Sequence, residues 1–244
     1  MEQQSPYSGV RAVLLDAAGT LITTAEPVGE TYAAWARRFG SELTAQALGE
    51  GFHHQFPAMP AMAFAGVTAV RLAELERDWW RSLVRRVVNH SGGEIERFDE
   101  FFDAVFQHFA SPTAWRLYPE VIQVLRVLQA RGYSLAVVSN FDSRLLGILG
   151  GLGLTPFLDA IEFSTAAGAA KPDPRIFAGT LEKLGLDPDQ ALHVGDGLRN
   201  DYEGARSAGL RALLLQRGER GEANRAVDCV HSLEGLLTRL GPRP

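Results

Sequence analysis

The sequence predicts an α/β fold built on a parallel β-sheet, with an all-helical segment inserted into it. Short apolar runs alternate with helical patterns in the first and last thirds of the chain, whereas the middle has helical patterns without such runs. Apolar runs that alternate with helices are typical of parallel sheets, because helices cover both faces of the strands. The five runs are residues 11–15, 134–139, 160–163, 191–194 and 211–215.

The middle of the chain has the apolar periodicity of α-helices. A loop is expected at residues 57–66 between two of these helices, and another, exposed loop at residues 217–225 near the end of the chain. We therefore predict a helical cap over residues 22–115 and a core formed by residues 1–21 and 116–244. The three sets at helical spacing are Val28, Tyr32, Trp35 and Phe39, which Gly40 can end; Leu72, Leu75, Trp79 and Leu83; and Ile95, Phe98, Phe102, Val105 and Phe109.

The composition excludes several functional classes. The 244 residues suffice for a proper core, and the hydrophobic fraction of 46% is ordinary for a globular protein. A net charge of −5 gives no indication of a nucleic-acid or anionic-membrane partner. No run approaches the roughly 18 apolar residues of a membrane span, and the polar start does not resemble a secretory signal. We expect a cytoplasmic protein, and the single cysteine, Cys229, fits a reducing compartment.

Four short segments with chemically useful side chains lie at or near predicted strand ends. Ligands of open parallel sheets bind at the carboxyl ends of the strands, so such segments can meet there. Taken singly, each has an ordinary explanation: a turn, a helix cap or a solvated charge. Their joint occurrence favours a site that combines a nucleophile, a hydroxyl, a lysine and an acid pair. The segments contain Asp16, Ser139 with Asn140, Lys171, and Asp196 with Asp201 in GDGLRND.

Two of these segments are informative by composition or spacing. Only Lys171 and Lys183 are lysines among 24 basic residues, so a lysine before Pro172 favours a role for a compact point charge. Asp196 and Asp201 follow a predicted strand as a pair of carboxylates. Paired carboxylates suit a hard cation such as Mg²⁺.

The segments DAAGT, SN, K and GDGLRND, in this order, resemble the four motifs of the haloacid dehalogenase superfamily. The resemblance covers essentially the whole chain, including the helical insertion after the first motif. The stretches GETYAAWARR, SNFDSRLLGILGGLGL and AAGAAKPDPRIF are most similar to the haloacid dehalogenase-like hydrolase domain-containing type 3 (REG-2-like) group. The resemblance implies a Rossmann-like core under a mobile helical cap, and a hydrolase acting on a small phosphorylated metabolite.

The resemblance implies a nucleophile and a Mg²⁺ site. Asp16 would attack phosphorus and form an aspartyl-phosphate, which divides one difficult displacement into two steps. The ion would be held by Asp16, the backbone carbonyl of Ala18 and Asp196. Asp201 would act on the ion through water or orient Lys171. The expected metal site is therefore formed by these four residues, Asp16, Ala18, Asp196 and Asp201.

The resemblance also implies a set of residues that bind the phosphoryl oxygens. Ser139, the backbone N–H of Asn140, Lys171 and the region of Thr20 would form this set. Lys171 and Ser139 would also be catalytic together with Asp16. Their work would be positioning and charge neutralisation, the general need of phosphoryl transfer.

Ala18 departs from the pattern of the superfamily's phosphatases, which usually have aspartate two residues after the nucleophile. That acid protonates the leaving oxygen and then activates the water that cleaves the aspartyl-phosphate. The spacing suits this work, because residues i and i+2 of an extended segment project to the same side. Alanine transfers no proton, and positioned acid–base groups contribute roughly 10²–10⁴-fold in rate. We therefore expect a preference for leaving groups of low pKa.

Three functional classes stay open: a Mg²⁺-dependent phosphatase, a metal-independent 2-haloacid dehalogenase, and a phosphate-binding or regulatory protein of low turnover. Dehalogenases lack the second acid because halide leaves without a proton, but they do not keep the acid pair of the fourth motif. Phosphonoacetaldehyde hydrolases have alanine at this position but need a cap lysine, and residues 22–115 contain none. A sugar phosphomutase is disfavoured because it relies on the missing acid. The intact acids and lysine favour the phosphatase.

Two features of the cap and its surroundings carry structural expectations. Trp79 and Trp80 are adjacent, so on a helix they point about 100° apart. One is expected to pack within the cap and the other at the seam between cap and core. Asp142 follows the SN segment and is expected to cap the next helix.

Overall fold

The computed structural model describes residues 7–218 and 227–243. The loop predicted at residues 217–225 therefore lies largely outside the described residues. The strands are β1 (Ala12–Leu15), β2 (Ile22–Thr24), β3 (Trp115–Leu117), β4 (Ser134–Ser139), β5 (Ala160–Phe163), β6 (Ala191–Gly195), β7 (Arg211–Leu215) and β8 (Cys229–Val230). The α-helices are α1 (Val28–Arg38), α2 (Ala45–Gln55), α3 (Ala69–His90), α4 (Phe98–Ala110), α5 (Val121–Ala130), α6 (Arg144–Gly151), α7 (Ser164–Ala167), α8 (Pro174–Leu184), α9 (Gly204–Ser207) and α10 (Gly235–Arg239).

A parallel sheet forms the core of the described residues, with strand order β5-β4-β1-β6-β7-β8. The five strands predicted from apolar runs are confirmed to within one residue at each end. In β1, Leu15 pairs with Val137 of β4 and Val194 of β6. The carboxyl ends of these three strands therefore lie side by side. This α/β architecture confirms the predicted Rossmann-like core.

The alternation of side chains in β1 shows why the strand runs are continuously apolar. Val13 and Leu15 pack into one hydrophobic cluster with residues of α5, α6 and α10. Ala12 and Leu14 pack into a second cluster with residues of α8 and α9. Successive side chains of a strand point to opposite faces, so a strand covered on both faces buries all of its residues.

Helices α1 to α4 form a separate layer with its own hydrophobic cluster, and we call these four helices the cap. The cluster includes Tyr32, Leu48, Val84 and Phe101. The three predicted helical patterns correspond to α1, α3 and α4. None of the described helices is both long enough and apolar enough to cross a membrane.

No pattern in the sequence predicted helix α2, because this helix packs largely through glycine. Its buried residues are Leu48 and Gly51, so it has no apolar stripe of the usual width. A side chain at Gly29 of α1 would clash with the backbone carbonyl of Ala45. Small residues thus allow a close approach of α1 and α2, and hydrophobic periodicity does not register such a contact.

The two ends of the inserted segment form a short antiparallel ladder rather than continuing as helix. Strand β2 pairs with β3, with Ile22 opposite Leu117 and Thr24 opposite Trp115. Residues 22–115 are therefore helical in the cap but extended at their ends. The ladder holds the entry and exit of the insertion together beside β1. The division at residues 21/22 and 115/116 stays a prediction.

Candidate active site

The four predicted segments meet at the carboxyl ends of β1, β4 and β6. Asp16 follows β1, and its backbone N–H donates to the carbonyl of Val194 at 2.9 Å. One carboxylate oxygen from each of Asp16, Asp196 and Asp201 lies within 4.8 Å of the others. Strand register thus brings together acids from opposite ends of the chain.

Lys171 lies between two of these acids, Asp16 and Asp201. Its Nζ donates to Asp16 Oδ1 at 2.6 Å, to Asp201 Oδ1 at 2.5 Å and to the carbonyl of Val138 at 2.8 Å. The Asn140 side chain binds the backbone of Lys171 twice, donating to its carbonyl at 2.9 Å and accepting from its N–H at 2.7 Å. Asn140 therefore fixes the lysine, and the lysine fixes the two buried carboxylates.

Burial and charge shift the pKa values of these groups in different directions. Burial raises the pKa of Asp16, although the charge of Lys171 opposes the effect. Burial also opposes ionisation of Lys171 and Asp201. The charges of Asp16 and Asp201 outweigh it for Lys171, whereas the charge of Lys171 and the hydrogen bond with His193 outweigh it for Asp201. The pKa of Lys171 is therefore raised and that of Asp201 lowered.

Asp196 lies where an additional positive charge would be favourable. Its side chain reaches solvent, yet partial burial, followed by repulsion from Asp16 and Asp201, raises its pKa to about 6. His193 adds no compensating charge, because burial lowers its pKa. With all three carboxylates ionised, Lys171 leaves an excess of two negative charges. This donor set fits a divalent cation that prefers oxygen ligands.

His193 is a site residue without a sequence prediction. It is fully buried on β6, and its Nε2 lies 2.9 Å from Asp201 Oδ1. The backbone N–H of Gly197 donates to the other oxygen of Asp201 at 2.8 Å. Asp201 itself lies on a π-helical turn, Leu198–Glu203. The available signal was a histidine inside the apolar strand sequence ALHVG.

Two glycines give the acids room. Gly19 has φ +86°, and a side chain there would clash with the carboxylate of Asp196. A side chain at Gly195 would clash with Asp201. Both positions therefore require glycine for the observed approach of loop and carboxylate.

The remaining predicted residues have different surroundings. Ser139 is buried, and its hydroxyl is close enough to Asp16 to stabilise the ionised carboxylate. Thr20 is fully buried, and its hydroxyl has no hydrogen-bond partner within residues 7–218 and 227–243. Ala18 is exposed and lines a cavity. Arg217, predicted only as the start of an exposed loop, is half-buried and donates to the carbonyls of Gly19 and Thr20, which stabilises the loop after Asp16.

A cavity of about 280 Å³ lies between the cap and the strand ends. Ala18, Gly19 and Asn140 line it from the core, and residues of α1, α2, α3 and α4 line it from the cap. Trp80 lines the cavity and donates to Asp142 at 2.5 Å, whereas Trp79 stays within the cap and donates to the carbonyl of Pro60. The expected division of the two tryptophans is confirmed.

Asp142 joins the cap to the core. It accepts from the backbone N–H of Arg144 at the start of α6, as predicted, at 3.0 Å. It is also fully buried and paired with the Arg144 guanidinium at 2.7 Å. With the bond from Trp80, these contacts make Asp142 part of the seam between cap and core.

Glu76 of α3 forms a second connection across the seam. Its carboxylate is buried and accepts from the backbone N–H of Ser143 at 3.1 Å and from the hydroxyls of Ser143 and Thr165. Sequence periodicity gave Glu76 no role. The available signal was its place four residues before Trp80, on the helix face that meets the core.

Comparison with known proteins gives the family. A model of the haloacid dehalogenase-like hydrolases matches residues 10–209. The "haloacid dehalogenase-like hydrolase domain-containing protein 3" of Homo sapiens is 35% identical over 212 residues, which cover 84% of this chain and 82% of that protein. The phosphoserine phosphatase of Thermus thermophilus is 36% identical over 139 residues, which cover 57% of this chain and 55% of that protein.

Solved structures share the fold. A haloacid dehalogenase-superfamily phosphatase from Thermococcus onnurineus superposes with a TM-score of 0.65 at 25% identity, covering 96% of this chain and 99% of that one. The L-2-haloacid dehalogenase of Xanthobacter autotrophicus superposes with a TM-score of 0.66 at 21% identity, covering 93% and 96%. The second likeness concerns the fold alone. The resemblance drawn from the four motifs is confirmed, and the chain belongs to the haloacid dehalogenase-like hydrolases.

Proposed function

We propose that this hydrolase is a Mg²⁺-dependent phosphatase that acts on a small phosphorylated substrate through an aspartyl-phosphate at Asp16. The observation that carries the proposal is the position of Asp16, which is buried against Lys171, lies within reach of Asp196 and Asp201, and stands two residues from a cavity. A nucleophile, a fixed cation and an acid cluster with excess negative charge are the parts that phosphoryl transfer requires.

The chain's own residues supply the positioning. Asp16 attacks phosphorus through a carboxylate oxygen, the bond from phosphorus to the leaving oxygen breaks, and water then cleaves the aspartyl-phosphate. Lys171, held by Asn140, is the fixed positive charge beside the attacking group. Ser139 stands beside Asp16 at the end of β4 as a further donor. Because all of these groups are anchored, they need little reorganisation during the reaction.

The acid cluster fits Mg²⁺. Asp16 and Asp196 would hold the ion, with the backbone carbonyl of Ala18 as a further ligand, and Asp201 would keep Lys171 in place. When bound, Mg²⁺ would neutralise charge on the phosphoryl oxygens. The excess of two negative charges among the described groups supports a divalent ion over a monovalent one.

The test is release of inorganic phosphate from acetyl phosphate and p-nitrophenyl phosphate, with Mg²⁺ and after chelation by EDTA. Neither substrate strongly requires a general acid, so the missing acid at Ala18 does not mask an otherwise working site. We expect release with Mg²⁺, at least about 100-fold slower after chelation. Release that is unchanged by EDTA would contradict the metal site.

Two other functions make different predictions in the same assay. A metal-independent dehalogenase would release halide from L-2-chloropropionate in EDTA and no phosphate. A phosphate-binding protein would bind phosphate without turnover of either ester. The convergence of Asp196 and Asp201 on Asp16 favours the phosphatase, because halide displacement by a carboxylate uses no acid pair.

Replacing Ala18 by aspartate is expected to raise the turnover of alkyl phosphates. Ala18 is exposed to the cavity, so an aspartate there has room and can protonate the leaving oxygen. We expect kcat on glycerol 2-phosphate to rise by about 10²-fold and kcat on acetyl phosphate to change less than about threefold. The control is Ala18→Asn, which has the same shape without a transferable proton. Equal effects of the two variants, or no gain with aspartate, would contradict this explanation of Ala18.

A further inference from the structure

The cavity next to Ala18 has an unusual lining for a phosphatase of polar metabolites. About half of its lining side chains are aromatic, including Tyr32, Phe102, Phe109 and Trp115, and three valines add aliphatic surface. Among the described lining residues there is no aspartate, glutamate, histidine or lysine. The group that a substrate places here meets apolar surface and no acid that could replace the missing one.

Apart from the hydroxyls of Thr23, Thr24 and Tyr32, the polar side chains of the lining are engaged within the protein. Asn140 binds the backbone of Lys171. The indole N–H of Trp80 donates to Asp142, and that of Trp115 donates to the carbonyl of Phe109 at 3.1 Å. A polyol or sugar in this cavity would lose its hydrogen bonds to water and find few replacements, which is costly.

Arg144 is the charged residue of the lining, and the carboxylate of Asp142 already neutralises its charge. Its guanidinium donates to both oxygens of buried Asp142, at 2.9 and 2.7 Å, and also to the carbonyl of Phe106. It also stacks on the rings of Trp80 and Phe106. A second anionic group on the substrate would therefore find no free counter-charge here.

We propose that the substrate is the phosphate ester of an uncharged phenol, whose ring occupies this cavity. The inference rests on the proposed phosphatase function and names its substrate class. The volume of about 280 Å³ lies just below the range of drug-sized pockets, roughly 300–1,000 Å³, and so suits one or two rings. Aromatic walls favour an aromatic guest through edge-to-face and offset contacts.

The chemistry of a phenol also matches the absence of an acid at Ala18. Asp16 bonds to phosphorus, the bond from phosphorus to the aryl oxygen breaks, and the phenolate leaves with the electron pair and is protonated by solvent. Water then releases phosphate from Asp16. A phenol has a pKa of about 10, so its anion leaves without a proton far more readily than an alkoxide. Burial raises the pKa of Tyr32, so this lining hydroxyl is a weaker proton donor than a carboxyl group at position 18 would be.

The first arm of the test compares three substrates: 2-naphthyl phosphate, 4-carboxyphenyl phosphate and acetyl phosphate. The first two have phenolic leaving groups, but only the second carries a charge into the cavity. We expect kcat/KM for the naphthyl ester to exceed that for the carboxyphenyl ester by at least about tenfold, because an unpaired charge is costly in apolar surroundings. Equal values, or a preference for the charged ester, would overturn the substrate class.

The second arm of the test fills the cavity with a larger side chain. Val28 lines the cavity, whereas Val70 of α3 is 75% exposed and lies elsewhere. Val28→Trp is expected to lower the ratio of kcat/KM for naphthyl to acetyl phosphate by at least about tenfold, since the ring loses its room, and Val70→Trp is expected to leave the ratio unchanged. An unchanged ratio in a folded Val28→Trp protein would place the ring elsewhere and overturn the inference.

Acetyl phosphate separates the two proposals because its leaving group is too small to need the cavity. Turnover of acetyl phosphate that requires Asp16, together with no preference among the aryl esters, overturns the substrate class and leaves the phosphatase standing. No Asp16-dependent turnover of any of the three substrates overturns the phosphatase and the substrate class with it.

Discussion

Asp16→Asn is expected to lower kcat on acetyl phosphate by at least about 10³-fold, because an amide cannot serve as the nucleophile. The fold should survive. Asparagine keeps the shape and the oxygen that accepts from Lys171, and Lys171 stays paired with Asp201. Since burial raises the pKa of Asp16, ionisation of this group weakens the folded state at neutral pH. The free energy of unfolding of the variant should therefore equal or exceed that of the wild type.

The measurements are phosphate release and thermal unfolding at pH 7. The matched control is Asp189→Asn, which makes the same change at an exposed acid on the turn Pro188–Gln190, at the amino end of β6 and so opposite the site. It should alter neither kcat nor the melting temperature. An Asp16→Asn protein that keeps kcat within about tenfold of the wild type would assign the attack on phosphorus to another group.

Lys171→Met is expected to lower both stability and activity. The substitution leaves the buried carboxylates of Asp16 and Asp201 without their shared cation, and breaking a buried pair in this way costs about 3–5 kcal/mol of unfolding free energy. The other lysine offers a matched control. Lys183 is 53% exposed in its side chain and pairs with Glu162, so Lys183→Met should cost only about 1–2 kcal/mol.

Activity distinguishes the two lysines further. Lys171→Met should lower kcat on p-nitrophenyl phosphate by at least about 100-fold, measured below the melting temperature of the variant. Lys183→Met should keep kcat, because Lys183 lies on α8 and contacts none of the site acids described above. Equal losses of kcat in both variants would mean that Lys171 acts only through stability.

The sequence predicted the parts of the fold that bury continuous apolar runs. Five strands of the core sheet, β1 and β4 to β7, were predictable because helices cover both faces of the sheet. Helix α2 was not, because α1 and α2 approach through Gly29 and Gly51 stands among its few buried residues. Strand β8 has two residues, Cys229 and Val230, and gains its extended form from pairing with β7. Such elements depend on their neighbours more than on their own residues.

The residues of the candidate site were likewise predictable only in part. Asp16, Ser139, Lys171 and Asp196 were predictable because parallel strands bring their carboxyl ends to one edge. His193 lies inside a strand, where its contact with Asp201 depends on the π-helical turn that follows. The cavity depends on how the cap lies over the core, and no local spacing in the sequence encodes that arrangement.

The hydrogen bonds of Glu76 across the seam between cap and core can be exchanged for hydrogen bonds to water. Its carboxylate accepts three hydrogen bonds from donors at Ser143 and Thr165, and water can satisfy the same groups when cap and core part. Hydrogen bonds to a charged group contribute about 1.5–3 kcal/mol each. The three bonds therefore favour one alignment of the cap on the core. An occupant that buries apolar area in the cavity would add to this preference, so that binding and closure would be coupled.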